Sequence, residues 1–220
     1  MTKPAVPGAL LEEGVWDRRR RLVAGEIEQV ALRLFAEQGY HNVTTDDIAR
    51  ACNISARTFF RYFAAKRDVL LAVPRRSLVA LCDAVDRRPT DEDLLTSWRE
   101  AAISLLGGDE VDLALIKQLK GLLLDSPDLV ETINGDAELT DRFVRTNSER
   151  LGVDSATDLR PIVMAGAVRN ALIATLDQWS SGRADDLATS FGEAFDILAC
   201  LDTIGGRPKP RRSRLRSRPK

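Results

Sequence analysis

The sequence predicts an all-α fold, and two observations carry this prediction. Apolar residues recur along the chain with the 3.6-residue period of amphipathic helices, whereas the alternating Val-, Ile- and Thr-rich runs of strands are missing. Breaks containing Gly, Pro, Ser or Asn separate the periodic segments. With 220 residues, 44% hydrophobic and 30% charged, the composition is that of a globular protein that can bury a substantial core.

The first predicted helix runs from about Asp17 to Gln38. Its apolar residues recur at i, i+3, i+4, i+7 and i+8, which places them on one face. Gly39 is expected to end the helix, because glycine readily takes the left-handed conformation found just after helices. The apolar residues in question are Ile27, Val30, Ala31, Leu34 and Phe35.

A short helix, a tight turn and a second short helix follow. Thr44 is expected to cap the first short helix, with Asp47 in the position of the capping-box acid. Asn53-Ile54 is the predicted turn. Ser55 then caps a helix expected over about residues 56–63.

The rest of the chain up to Thr203 is predicted to form longer helices separated by short breaks. A helix that begins at Lys66 contains Pro74, which removes one backbone donor. Thr90 is expected to cap a helix that runs to about Leu106. The later helices are expected over Asp109–Asp125, Asp128–Leu151 with an interruption at Asn134-Gly135, Asp158–Ser181 and Asp185 to about Thr203.

Charge is distributed unevenly along the chain although the net charge is only -1. Residues 17–73 carry an excess of basic groups, residues 74–204 are strongly acidic, and the segment 205–220 holds eight basic and no acidic residues. The split predicts a polyanion partner for the basic parts. We therefore expect a flexible arm over 1–16, domains over 17–73 and 74–204, and a disordered basic tail over 205–220.

Several classes of protein are disfavoured by the sequence. It has one His, no Gly-rich phosphate loop and no G-x-S-x-G motif, so an enzyme is not expected. Its three cysteines are far apart and have no metal-ligand spacing, so no metal or cofactor is expected and reduced thiols are predicted. No apolar run is long enough for a membrane span and the N-terminus lacks a signal-peptide core, so a cytoplasmic location is expected.

The stretch SARTFFRYF at 55–63 holds four of the chain's twelve aromatic residues and two of its arginines. On a helix, Phe59 and Phe63 lie on one side, and Arg57 and Arg61 lie on the other. The aromatic side would anchor a helix too short to be stable alone. The arginine side is either a solvated face of an ordinary helical hairpin or the DNA-reading face of a helix-turn-helix, where arginine recognises guanine in the major groove.

The surrounding stretch RLFAEQGYHNVTTDDIARACNISARTFFRYFAAKRDVL resembles the N-terminal DNA-binding domain of the TetR family of transcriptional regulators. The residues that carry the resemblance are Gly39-Tyr40, Thr44-Thr45, Ile48-Ala49, Ile54-Ser55, Thr58, Phe63 and Lys66. It implies an N-terminal three-helix DNA-binding domain with a helix-turn-helix, followed by a C-terminal helical regulatory and dimerisation domain.

The resemblance also implies which side chains meet DNA. Phosphate contacts set the register on the duplex, whereas base contacts set the sequence preference. The implied phosphate contacts come from Thr44, Thr45, Ser55, Tyr62 and Lys66. The implied base contacts come from Arg57, Thr58 and Arg61.

The last two predicted helices are apolar around more than half of their circumference. Such helices are buried on two sides, and a two-fold four-helix interface between two copies would supply the second side. A monomer with a thick core is the alternative. The interface is expected to contain Val168, Leu172, Trp179, Phe191, Phe195 and Leu198.

The C-terminal half is also similar to a subgroup of TetR C-terminal domains described as binding acyl-CoA-like ligands. The matching stretches are RPTDEDLLTSWREA, LLLDSPDL, AVRNALIATLDQWSSG and DLATSFGEAFDIL. Two amides, Asn147 and Asn170, lie on apolar helix faces, where each would either bond a neighbouring helix or orient a ligand. The ligand site is expected to include Leu119, Phe143, Asn147, Ala167, Asn170 and Ala174.

Together these features predict a repressor that binds a palindromic operator as a homodimer and is released by a small, largely apolar effector. The subgroup resemblance makes acyl-CoA-like molecules the candidate effectors. The alternative is a constitutive DNA-binding protein without an effector. The two differ in whether the acidic helical half binds a small molecule.

Overall fold

The computed structural model describes residues 15–107, 113–124 and 127–200. Every regular element within these ranges is helical, which confirms the predicted fold class. The predicted tail at 205–220 and nearly all of the predicted arm at 1–16 lie outside the described residues.

Ten α-helices follow one another along the described chain, with a single 3₁₀ turn at Tyr40–Asn42 between the first two. They are α1 (Val15–Gln38), α2 (Thr45–Ala51), α3 (Ala56–Tyr62), α4 (Lys66–Asp86), α5 (Leu94–Leu106), α6 (Leu113–Leu124), α7 (Pro127–Asn134), α8 (Ala137–Leu151), α9 (Arg160–Ser180) and α10 (Leu187–Ala199). The break predicted at Asn134-Gly135 is confirmed as the connection between α7 and α8.

The prediction that Thr90 caps α5 is wrong. The cap is Asp93, whose carboxylate accepts a hydrogen bond from the Thr96 amide at 2.9 Å. The last helix likewise starts behind Asp186, which accepts from the Thr189 amide at 2.7 Å, and it ends at Ala199. In both cases the helix begins behind the acidic side chain that reaches an unpaired amide of the first turn.

The chain divides into two compact units. Among the described residues, the first unit contains everything up to Ala80 together with the segment from Leu113 to Thr140, and the second unit contains the rest. The sequence-based boundary at residue 74 therefore differs from the structure, in which α6 and α7 join the N-terminal helices.

The first unit is built around one buried cluster. Phe35 and Phe59 are fully buried in it, and Leu119 and Leu129 from α6 and α7 belong to the same cluster. An ion pair lies beside this packing: both terminal guanidinium nitrogens of Arg76, a side chain that is 61% exposed, donate to the buried Glu28 carboxylate at 2.6 Å. Because α6 and α7 complete the apolar core, this unit is larger than a three-helix domain.

The second unit combines α5, α9 and α10 with the end of α4 and most of α8. Trp98 and Phe143 are fully buried and stack with ring centroids 5.0 Å apart. On the polar side, Arg142 of α8 forms ion pairs with Asp83 and Asp86 of α4. Within the described residues, no helix is long and apolar enough to cross a membrane.

Candidate nucleic-acid interface

The N-terminus of α2 is held by the capping box that the sequence predicts. The Thr44 hydroxyl accepts from the Asp47 amide at 3.2 Å, and the Thr44 amide donates to the Asp47 carboxylate at 3.0 Å. Hydrogen bonds from the Thr44 side chain and backbone lower the pKa of Asp47. The reciprocal bonds fix the direction in which the short helix leaves the preceding loop.

The turn between α2 and α3 depends on one residue with a left-handed backbone. Asn53 has φ of 54°, a conformation that Asn tolerates better than most residues. The Ile54 amide closes the turn on the carbonyl of Ala49 at 2.9 Å. The predicted turn at Asn53-Ile54 is thus confirmed, and it sets the angle between the two short helices.

Helix α3 is capped at its start and anchored on its inner side. Ser55 accepts from the Thr58 amide at 3.1 Å, and the two hydroxyls lie 2.9 Å apart. Phe59 is 0% exposed and Phe63 is 8% exposed, so both rings pack into the core of the first unit. A helix of seven residues needs this anchoring because it is too short to be stable in isolation.

The outward side of α3 carries Arg57, Phe60 and Arg61, all of which are exposed. Arg61 is held in place by its neighbour: its guanidinium lies 5.1 Å from the centre of the Tyr62 ring and donates to the Tyr62 hydroxyl at 3.2 Å. Phe60 was not among the predicted site residues, although its i+3 spacing from Arg57 was a signal that it shares this face.

Lys66 has internal partners in the structure. Its ammonium donates to the carbonyls of Tyr40 and Val43, each at 2.8 Å, and lies 3.5 Å from the carbonyl of His41. It also sits 4.4 Å from the centre of the Tyr40 ring, and partial burial lowers its pKa. An ammonium has three donor hydrogens, and these carbonyls accept them. The Lys66 ammonium is therefore engaged within the protein and not with the DNA phosphate that the resemblance implies. We therefore assign Lys66 to positioning the loop before α2.

Seven of the eight residues predicted to meet DNA lie on α2, on α3 or at their N-caps, whereas Lys66 begins α4, and the eight differ in exposure. The exposed ones are Thr44, Ser55, Arg57 and Arg61. The half-buried ones are Thr45, Thr58, Tyr62 and Lys66.

Four of the six residues expected at a dimer interface lie inside the second unit. Val168, Leu172, Phe191 and Phe195 are at most 5% exposed within the single chain, and only Trp179 and Leu198 are half-buried. A side chain buried against its own chain presents no surface to a second copy. These four residues form the core between α9, α10 and their neighbours, which corrects the sequence-based assignment.

The opposite side of α9 is exposed instead. Leu159, Ile162 and Val163 are 72%, 46% and 63% exposed, and Asn170 and Ala174 further along the helix are exposed as well. We call these five residues the outer face of α9. Large exposed aliphatic side chains at this density are unusual on a monomeric surface.

The six residues expected at an effector site are spread over different environments. Leu119 belongs to the core of the first unit, whereas Phe143 and Asn147 are fully buried in the second. Asn170 and Ala174 lie on the outer face of α9, and Ala167 is half-buried.

The Asn147 amide has two partners within its own unit. Its oxygen accepts from the Trp98 indole N–H at 2.9 Å, and its nitrogen donates to the Pro161 carbonyl at 3.0 Å. Of the two roles that the sequence left open for Asn147, this geometry supports bonding to neighbouring elements.

A short capped helix, a tight turn and an anchored second helix with outward arginines define a helix-turn-helix DNA-binding protein. The family described as bacterial regulatory proteins, tetR family, matches residues 27–73, and the MftR C-terminal domain matches residues 92–201. The chain belongs to the TetR family of DNA-binding transcriptional regulators, and the matching families and relatives are regulators and not enzymes.

Two curated relatives match nearly the whole chain. The HTH-type transcriptional regulator TcmR of Streptomyces glaucescens is 31% identical over 84% of this chain and 86% of its own length. The putative mycofactocin biosynthesis transcriptional regulator MftR of Mycobacterium tuberculosis is 29% identical over 85% of this chain and 95% of its own length.

Among solved structures, FadR of Thermus thermophilus has the same fold. It matches with a TM-score of 0.57 and 22% identity over 85% of this chain and 97% of its own. That protein is a TetR-family transcriptional repressor solved in complex with lauroyl-CoA.

Proposed function

We propose that the protein is a repressor that binds a palindromic operator as a homodimer and leaves DNA when a small, largely apolar effector binds. The observation that carries the proposal is the outer side of α3, where Arg57 and Arg61 are exposed while Phe59 and Phe63 hold the helix in the core. We place α3 in the major groove of the operator. We place the protein in the cytoplasm, where bacterial DNA lies.

On this proposal, the eight residues from Thr44 to Lys66 divide by role. Arg57, Thr58 and Arg61 contact bases. Thr44, Thr45 and Ser55 contact phosphates near the N-termini of α2 and α3, and Tyr62 contacts one from the C-terminal end of α3. Lys66 acts indirectly, through the loop that leads into Thr44.

The DNA-binding face is tested on a duplex selected from a random pool by the wild-type protein. Arg57→Ala and Arg61→Ala should each weaken specific binding by about 1–3 kcal/mol if the side chain makes a bidentate base contact. Arg33→Ala is a matched control, because Arg33 is an exposed arginine on α1 of the same unit. If both α3 variants bind the selected duplex like the wild type, the face is assigned wrongly.

The repressor role is tested by transcription in vitro from a promoter that carries the selected duplex. Transcript should fall as wild-type protein is added and should not fall with Arg57→Ala. A rise in transcript would identify an activator.

We place the dimer interface on α9 and α10, with the outer face of α9 at its centre and the half-buried Trp179 and Leu198 beside it. Its exposed aliphatic residues would gain the hydrophobic stabilisation that they lack in a single chain. A two-fold dimer presents two copies of α3, which predicts an inverted repeat with half-sites about 34–36 Å apart, or a multiple of that spacing.

We propose an acyl-CoA-like molecule as the effector, bound in the second unit near Phe143 and Ala167. We assign Asn170 and Ala174 to the dimer interface, Asn147 to its hydrogen bonds with Trp98 and Pro161, and Leu119 to the core of the first unit. The support is the fold shared with a FadR solved with lauroyl-CoA. An effector that binds better to a conformation unsuited to DNA releases the operator by shifting the population.

The effector proposal is tested by titrating acyl-CoAs and free fatty acids of several chain lengths into the protein–operator complex. A true effector must release DNA, and saturating operator must weaken its binding by the same factor, because the coupling is reciprocal. If no compound does so, the constitutive alternative gains support while the DNA-binding face is unaffected.

A further inference from the structure

Phe60 is an exposed aromatic residue on a helix that does not need it for packing. Its side chain is 52% exposed, whereas the neighbouring anchors Phe59 and Phe63 are 0% and 8% exposed. Those two rings already fix α3 in the core, so packing of the core does not account for a third phenylalanine at position 60. An exposed phenyl group gains from contact with an apolar partner. Its place on the same outward side of α3 as Arg57 is what points to a partner on the DNA.

The surroundings of Phe60 restrict what it could contact. Arg57 lies at i-3 and therefore neighbours Phe60 on the outward side of the helix, and the exposed Arg61 follows next in the chain. Its ring meets the Phe59 ring edge to face, with centroids 5.5 Å apart and planes at 86°. This contact holds one edge of the Phe60 ring against a buried neighbour and leaves the rest of the ring outside.

We propose that Phe60 is a specificity-determining residue that contacts the C5-methyl group of a thymine in the major groove. A phenyl ring can neither donate nor accept the hydrogen bonds that other base edges offer there, and the thymine methyl is the apolar group on those edges. The inference rests on the proposed placement of α3 in the major groove, because only there would the ring meet this methyl.

The size of the effect follows from the area of one methyl group. Burying such a group between a phenyl ring and a base should change affinity about fourfold in each half-site. Arg57 and Arg61 would still supply the hydrogen bonds and the electrostatic attraction. Phe60 therefore sets a preference for thymine at one position and contributes little to overall affinity.

The test removes the methyl group from DNA without changing its hydrogen bonding. In the duplex selected by the wild-type protein, each thymine is replaced singly by deoxyuridine, and affinity is measured by fluorescence anisotropy. The wild type should lose about fourfold at one thymine per half-site. Phe60→Ala should bind the thymine and deoxyuridine duplexes equally, and Phe60→Leu should keep part of the difference.

Two controls make the result specific to this side chain. Leu22→Ala removes another exposed apolar residue, 65% exposed on α1, and should keep the full thymine preference. Circular dichroism melting of Phe60→Ala checks that the variant is folded, which is expected because the ring is half outside the core.

Each outcome decides the inference. If the wild type tolerates deoxyuridine at every position, or if Phe60→Ala keeps the wild-type sensitivity, the inference is overturned. If Arg57→Ala still weakens binding in that case, the proposed DNA face survives. If no duplex is bound specifically, both the face and the thymine contact are wrong.

Discussion

Two side chains with long-range partners show how single residues hold the functional elements in place. Lys66 at the start of α4 bonds carbonyls of the loop between α1 and α2, which lie more than twenty residues earlier in the chain. Asn147 links α8 to Trp98 of α5 and to Pro161 of α9. In both cases one polar side chain forms hydrogen bonds with elements that are distant in the sequence.

Lys66→Met should destabilise the protein by about 2 kcal/mol, because it removes charge-assisted hydrogen bonds to partly buried carbonyls while keeping a long side chain. Arg67→Met is the control: it removes the adjacent positive charge, and Arg67 is 62% exposed. Urea unfolding followed by circular dichroism measures both. Equal midpoints for the two variants would mean that the loop does not depend on Lys66.

Asn147→Leu should cost about 2–4 kcal/mol, since it leaves the Trp98 N–H and the Pro161 carbonyl buried without their partner. Ser148→Ala is the matched control on the same helix. The Ser148 hydroxyl has no hydrogen-bond partner in the described part of the chain, so its removal should be close to neutral. If Asn147→Leu is as stable as Ser148→Ala but alters effector binding, the amide serves the ligand instead.

At the scale of elements, the connection between α4 and α5 is organised by three charged residues. Glu92 accepts from Arg88 at 2.8 Å and from the Ser97 hydroxyl at 2.9 Å. Arg150 of α8 donates to the carbonyls of Arg88, Pro89 and Glu92. The connection is thereby fixed to α8, and the capped start of α5 follows directly from it.

These contacts predict a pH-dependent stability. The hydrogen bond from Arg88, followed by that from Ser97, lowers the pKa of Glu92 from 4.5 to about 2. A carboxylate with a lowered pKa stabilises the folded state above its unfolded pKa, and this stability is lost as the pH falls toward the folded pKa. The contribution of Glu92 is therefore full above about pH 4.5 and disappears toward pH 2.

The measurement compares thermal unfolding of wild type and Glu92→Gln at several pH values from 7 to 3. The wild type should be the more stable protein at neutral pH, and the difference should shrink as the solution is acidified. Asp91→Asn, which changes the exposed neighbouring carboxylate, serves as the control. A difference that stays constant down to pH 3 would show that the ionised Glu92 is not what stabilises this connection.

At the scale of the whole molecule, the apolar residues of α9 divide into those buried within one chain and those exposed on its surface. Val168 and Leu172 on its inner side are buried within one chain, whereas Val163 on its outer face is 63% exposed. A charge placed on the outer face should therefore affect association of two copies, and a charge placed inside should affect folding.

Val163→Glu should give a folded monomer in light scattering at micromolar concentration, because two like charges would meet at a two-fold interface. Leu22→Glu places the same charge at a comparably exposed site on α1 and should remain a dimer. Phe195→Asp buries a charge at a position that is 1% exposed, so it should lower the unfolding temperature strongly. A dimeric Val163→Glu would move the interface away from the outer face of α9.

The sequence was sufficient for features that depend on residues close together in the chain. The capping box of Thr44 and Asp47, the turn at Asn53 and the two-sided character of α3 all follow from contacts over a few residues. Such local signals also identified the family, because its helix-turn-helix is a continuous segment. The start of α5 was misplaced because Thr90 and Asp93 are both good capping residues and the pattern alone does not choose between them.

What the tertiary structure alone decided is which neighbour each surface meets. Periodicity shows that α9 has apolar residues on two sides, but only packing against α10 and the rest of its unit shows that Val168 lies inside and Val163 outside. The same holds for α6 and α7 in the first unit, and for the carbonyl partners of Lys66. Hydrogen bonding and side-chain spacing along a helix are local, whereas burial is a property of the whole arrangement of helices.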